Sequence, residues 1–151
     1  MSELGKIIKF LQLTPRVATA GQPRAEQFGE IRAEGYELVI NLAVPNYVTA
    51  VANEAELVAE HGMRYLHIPV AWEAPTRADL EQFFAAMDAN RGAKVFVHCA
   101  MNMRVSAFLF LYRVLHEGVP EAEALQDLRK IWQPIPHWQK FIEDVLASPP
   151  R

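Results

Sequence analysis

The sequence is poor in cysteine, in positive charge and in long apolar runs. Cys99 is the one cysteine in 151 residues. A single thiol forms neither an internal disulfide nor a cysteine-based zinc site. The formal net charge of -3 leaves no electrostatic footprint for nucleic acid. No apolar stretch approaches the roughly 20 residues that a membrane helix needs. The N-terminal Met1-Ser2-Glu3-Leu4-Gly5-Lys6 carries an early glutamate and no signal-peptide apolar block. Metal ligands are also sparse. His61 and His67 straddle a helix-to-strand turn, His116 and His137 are distant, and no pair has helical ligand spacing. The expectation is a cytoplasmic protein with no metal, no cofactor, and neither nucleic acid nor membrane as partner, whose free thiol stays reactive.

What is present suits one ordinary domain. The chain is 51% hydrophobic, with enough length for a sizeable core. Ten prolines are scattered and cluster only at the Pro149-Pro150 tail. The pattern alternates between strands and helices. Strands are expected at 16–19, 37–42, 64–69 and 94–98. Helices are expected at 24–34 (closed by Gly35), 49–61 (closed by Gly62), 77–90 (capped by Thr76), 104–117, 120–131 and 136–146. Strands separated by helical segments imply βαβ units, hence an α/β fold with a central, mainly parallel sheet flanked by helices. Ligands of such sheets bind beyond the carboxyl ends of the strands.

Cys99 sits at such an end. The apolar run Val95-Phe96-Val97-His98 delivers it into the loop Ala100-Met101-Asn102-Met103, which ends at Arg104. A lone cysteine at a strand end is often only a small buried hydrophobe. Here its neighbours argue for chemistry. The loop opens onto a helix N-terminus, where unpaired amides attract an anion and favour a thiolate. Arg104 offers a planar fork to phosphate oxygens. His98 and Ser106 flank the loop and can hydrogen-bond it into shape. A nucleophile, an oxyanion cradle and a counter-charge therefore fall within a few residues.

His98-Cys99 … Arg104-Val105-Ser106 resembles the active-site signature of the cysteine-dependent protein tyrosine and dual-specificity phosphatase superfamily, which reads His-Cys, five residues, Arg, then Ser or Thr. Ala18-Thr19-Ala20-Gly21-Gln22-Pro23 and Val39-Ile40-Asn41-Leu42 resemble its bacterial branch, related to beta-lactamase hydrolase-like phosphatases. Tyr65-Leu66-His67-Ile68-Pro69-Val70 is similar to the strand before the general-acid loop. The resemblance implies a protein-tyrosine-phosphatase-like fold over most of the chain. It also implies that Cys99 attacks phosphorus, that Arg104 holds the equatorial oxygens, and that an upstream acid protonates the leaving group.

Two departures from the signature matter. Four residues, not five, separate Cys99 from Arg104. Either the loop is one residue short, or Val105 stands in the arginine's place and Arg104 is turned by about 100° on the helix. The first alignment is preferred because it keeps Phe108-Leu109-Phe110-Leu111-Tyr112 in a sensible apolar phase. The loop also lacks glycine, so Asn102 is the residue expected to turn left-handed. Second, the family aspartate falls near Trp72, and the nearest carboxylate is Glu73, either a general acid or an exposed loop charge.

Ser106 either assists the thiolate or caps the helix. His98 is expected to order the loop. Gln22 and Asn41, near strand ends, either line the site or tie down loops. Trp132, Pro134, Pro136 and Trp138 are expected to cover a core edge. Three readings of function stand side by side. The first is a domain that binds a phosphomonoester or phosphoprotein with weak or absent hydrolysis of standard substrates. The second is an active phosphatase working through a phosphocysteine. The third is a sulfurtransferase or redox thiol protein. The sequence is silent on oligomeric state.

Overall fold

The computed structural model describes residues 3–45 and 50–150. Its five strands are β1 (Leu11–Thr14), β2 (Val17–Ala20), β3 (Leu38–Asn41), β4 (Arg64–His67) and β5 (Val95–His98). Its α-helices are α1 (Phe28–Ala33), α2 (Glu54–Glu60), α3 (Arg77–Ala89), α4 (Met103–His116), α5 (Glu121–Ile131) and α6 (Pro136–Ala147). The sheet order is β1-β2-β5-β3-β4. Strands β2, β5, β3 and β4 are parallel, and β1 is antiparallel to β2. This is the expected α/β sheet, with β5 at its centre.

Side chains of a strand alternate between faces, and the core divides accordingly. Val17, Leu38, Ile40, Val95 and Val97 face the cluster built with α3, α4, α5 and α6. Ala18, Ala20, Val39 and Phe96 face a smaller cluster with Phe28 and Ile31 of α1 and Val58 of α2. Both faces of β2, β3 and β5 are buried, as continuous apolar runs in a parallel sheet require. Helix α4 is buried from Arg104 to Arg113, so it forms the spine of the four-helix face. Each fully buried phenylalanine there contributes about 1.5–3 kcal/mol.

Local chemistry sets the helix ends. Thr76 Oγ1 accepts the amide of Asp79 at 3.1 Å and starts α3. Gly35, with φ of 95°, ends the first helical segment. Three elements differ from the sequence expectation. Strand β1 is an extra edge strand, joined to β2 by a tight turn at Pro15-Arg16. The 24–34 helix is divided into a 3-10 turn, Ala25–Gln27, and α1. The helix expected from residue 49 is helical from Glu54; residue 49 itself lies outside the described residues.

Candidate active site

The loop after β5 is held from the β2 side. The Cys99 amide reaches Ala20 O at 3.4 Å, and the Gln22 amide donates to Ala100 O at 3.0 Å. Gly21 and Met101 form an antiparallel bridge. The backbone there is so close that a Cβ on Gly21 would lie 2.5 Å from Ala100 O and 2.8 Å from Ile8 Cγ2. The Gly-Gln-Pro entry motif thus acts as a backbone brace for the loop. Asn102 adopts the left-handed conformation expected of it, with φ of 64°, at the N-cap position of α4. Its side-chain amide donates to Lys9 O (2.9 Å) and Thr19 Oγ1 (3.0 Å). These bonds offset the strain of a left-handed non-glycine residue. Among the described residues its Oδ1 is buried without a partner.

Cys99, Ala100, Met101, Met103, Arg104 and Trp72 line one cleft of 210 Å³. Cys99 is 1% exposed and Arg104 7%, so both are presented at the floor. The arginine is directed by Nη1 donating to Val70 O at 2.9 Å. Val105, the alternative occupant of the arginine position, is buried in the core. The opposite wall is the 70–73 segment. Trp138 Nε1 and His137 Nε2 both reach Trp72 O at 2.9 Å, and the Trp72 ring packs on Trp132 and Trp138 at 5.4 and 5.7 Å. The tryptophan cluster therefore covers a core edge and also anchors the cleft wall. Glu73 is exposed on the turn beyond Trp72 and does not line the cleft. Among the described residues, the lining contains no carboxylate.

Ser106 is turned away from the loop amides. Its hydroxyl donates to Met103 O at 2.9 Å and accepts from Trp132 Nε1 at 3.0 Å. The cap position belongs to Asn102.

The other flank of the loop is polar and buried. The imidazole of His98 is wholly buried, with Nε2 2.5 Å from Glu54 Oε2 and Nδ1 3.3 Å from Cys99 O. Glu54 opens α2 and is only 4% exposed. Gln22 Nε2 donates to Glu54 Oε1 at 2.9 Å, and the Glu54 charge acts on the nearby Tyr65 hydroxyl. Asn41 Nδ2 donates to that hydroxyl at 3.0 Å, while Asn41 Oδ1 accepts the Ala43 amide at 2.9 Å. Burial, reinforced by the nearby Glu54 charge, pushes Tyr65 up to about 12. Gln22, Asn41, Glu54 and Tyr65 border a separate cavity of 540 Å³. Glu54 escapes sequence reasoning: in Glu54-Ala-Glu-Leu it reads as a solvated helix-start acid. Its partner His98 is 44 residues away.

A cysteine at the end of the central strand, an arginine one helical turn on and a braced loop between them define a class. It is the protein tyrosine phosphatase-like fold. A kinase associated phosphatase whose catalytic-site cysteine is substituted by serine shares it, with a TM-score of 0.74 over 93% of this chain and 96% of that one, at 16% identity. Within that class the chain belongs to the family described as beta-lactamase hydrolase-like protein, phosphatase-like domain, whose model matches residues 9–114. A beta-lactamase hydrolase-like protein of Xylella fastidiosa (strain Temecula1 / ATCC 700964) is 31% identical over 126 residues, 78% of this chain and 28% of that protein. The chain thus spans little more than a quarter of the length of the curated relatives it matches. A provisionally assigned phosphatase of Shewanella putrefaciens CN-32 is similar at 36% identity, covering 96% of this chain and 95% of its own, with a TM-score of 0.86. No helix among the described residues is long and apolar enough to cross a membrane.

Proposed function

We propose that this domain binds the phosphate of a phosphomonoester or phosphoprotein between Cys99, the amides of residues 100–103 and Arg104, and hydrolyses standard aryl phosphates weakly or not at all. One observation carries the reading: Cys99 and Arg104 share a cleft whose lining, among the described residues, has no carboxylate. The thiolate of Cys99 attacks phosphorus, and the bond from phosphorus to the leaving oxygen breaks. With no carboxylic acid in the lining among the described residues, that oxygen takes its proton from water. A water molecule then attacks phosphorus, the P–S bond breaks, and thiol and inorganic phosphate are released. General acid catalysis typically contributes 10²–10⁴-fold, so its absence slows the first step, most for poor leaving groups. The four-residue loop adds to this, because a misplacement of about 1 Å can cost a hundredfold.

A second reading is an active phosphatase with Glu73 as the acid. It is supported by the adjacency of Glu73 to Trp72 in the cleft wall.

The deciding experiment is hydrolysis of an aryl phosphate across about pH 5 to 8 by the wild type, Cys99→Ser and Glu73→Gln, with protection of Cys99 from iodoacetamide by inorganic phosphate read in parallel. Protection with slow turnover, abolished by Cys99→Ser and indifferent to Glu73→Gln, is expected. Brisk turnover lost in Glu73→Gln establishes the second reading. Neither protection nor turnover overturns both.

A further inference from the structure

We infer that Glu54 is a positioning residue for the Cys99 loop, acting through His98. The inference rests on the reading of that loop as a phosphate site. It starts from the two contacts of the His98 ring. Nε2 is held by Glu54 Oε2 at 2.5 Å, and Nδ1 lies 3.3 Å from the carbonyl oxygen of Cys99. Both partners are acceptors, so the imidazole bridges the start of α2 to the first peptide of the loop when a proton sits on each ring nitrogen, or when the Glu54 carboxyl carries the proton it shares with Nε2. A trans peptide points its C=O and N–H in opposite directions, and no described peptide is cis. Holding the Cys99 carbonyl on the His98 side turns the Ala100 N–H away from the imidazole, and Ala100 itself lines the cleft. That amide is the first donor an anion beside Cys99 would meet.

Glu54 is itself fixed rather than free to follow the ring. Gln22 Nε2 holds its other oxygen at 2.9 Å and is anchored in turn on Pro23 O at 2.9 Å. Tyr65, on β4 and tethered by Asn41, lies near the same carboxylate without holding it. The 22–23 segment and β5 thus meet on one buried carboxylate whose route to the cleft is the His98 ring. Burying a charged group is costly unless it is fully bonded, and a fold that needed only packing here would be served by an apolar residue. In this network Gln22 of the Gly-Gln-Pro motif holds in place the residue that holds His98.

The test compares Glu54→Ala, Glu54→Gln and Tyr65→Phe with the wild type, at a temperature where all are folded by thermal melting. It reads the rate of Cys99 alkylation by iodoacetamide and the inorganic phosphate concentration that halves it. Glu54→Ala is expected to weaken phosphate protection and change the alkylation rate, with any turnover falling by about 100-fold. Glu54→Gln keeps an oxygen for Gln22 and a polar head against His98, and is expected to restore most of the loss. Tyr65→Phe perturbs the same buried cluster without touching His98 and is expected to stay close to wild type. Unchanged readouts in Glu54→Ala, no rescue by Glu54→Gln, or an equal loss in Tyr65→Phe each overturn the inference. Should Glu54→Ala not fold, Glu54→Asp takes its place, since one methylene less withdraws the carboxylate from Nε2. If the wild type shows no phosphate protection, the phosphate-site reading has failed; the alkylation rates then decide the Glu54 inference alone, and equal rates in wild type and Glu54→Ala sink it.

Discussion

The two flanks of the loop after β5 are built on opposite principles. On the cleft side, Cys99 and Arg104 stand among Trp72, Ala100, Met101 and Met103, with almost no other polar group among the described residues. On the far side, His98, Glu54 and Gln22 form a buried bonded chain, and Asn41 bonds the half-buried Tyr65 beside it. The contrast follows from what each side must do. A group meant to meet a ligand cannot already be fully bonded, and a low-dielectric wall strengthens its interaction with an anion. A group meant to hold shape must be fully bonded, because a half-satisfied buried network costs more than an apolar core. Even Arg104 obeys the division: one nitrogen is bonded to Val70 O, and its remaining donors are left for the ligand of the proposed site.

The strongest way to break the cleft side is Arg104→Lys. A lysine keeps the charge but cannot satisfy Val70 O and offer a planar fork together. Loss of an oxyanion donor of this kind costs about 10²–10³-fold in rate. Phosphate protection of Cys99 should weaken strongly, while the melting temperature moves little. A large fall in melting temperature with phosphate binding intact would show that the arginine serves the 70–73 wall and not the ligand.

The brace on the β2 side should break next. Gly21→Ala places a methyl group against the Ala100 carbonyl, a backbone atom that cannot yield as a side-chain tip would. Forcing extra volume into such a contact costs about 1–3 kcal/mol. Because the displaced atom belongs to the loop, phosphate protection should fall along with denaturant stability. A protein of wild-type stability and affinity would show that the loop can shift outward freely, and that the Gly-Gln-Pro entry is not its brace.

These two positions also show why the sequence was legible where it was. Cys99, Arg104 and the loop between them are contiguous, and the apolar phase of α4 puts Arg104 on the cleft and Val105 in the core. Buried parallel strands read as plain apolar runs, and Thr76 and Gly35 punctuate helices by local chemistry. Strand β1 was illegible because an edge strand of four half-exposed residues, turning at Pro15-Arg16, carries neither a buried run nor a glycine turn signal. Glu54 was illegible for a different reason. Nothing in its own neighbourhood marks it; its meaning lies in Gln22, Tyr65 and His98, which only the sheet order brings together. Gln22 and Asn41 could be flagged as polar residues at strand ends, but not assigned a partner.

The smallest expected effect sharpens the polar flank. Tyr65→Phe deletes the hydroxyl that accepts from Asn41 Nδ2, at a cost of about 1 kcal/mol at neutral pH. The pH dependence is more telling. Burial and the Glu54 charge raise this phenol from 10.0 to about 12 in the folded protein. A group raised on folding contributes stability that is fully present below its unfolded value and is lost as pH rises through its folded one. The wild type should therefore lose stability between pH 10 and 12 more steeply than Tyr65→Phe. The difference between their tyrosinate absorbance titrations should isolate one phenol with a midpoint near 12. Subtraction is needed because burial also raises Tyr36, and burial with the Asp88 hydrogen bond raises Tyr112. A midpoint near 10 would mean that the phenol is open to the bordering cavity, and that Tyr65 does not belong to the bonded flank that distinguishes the two sides of the loop.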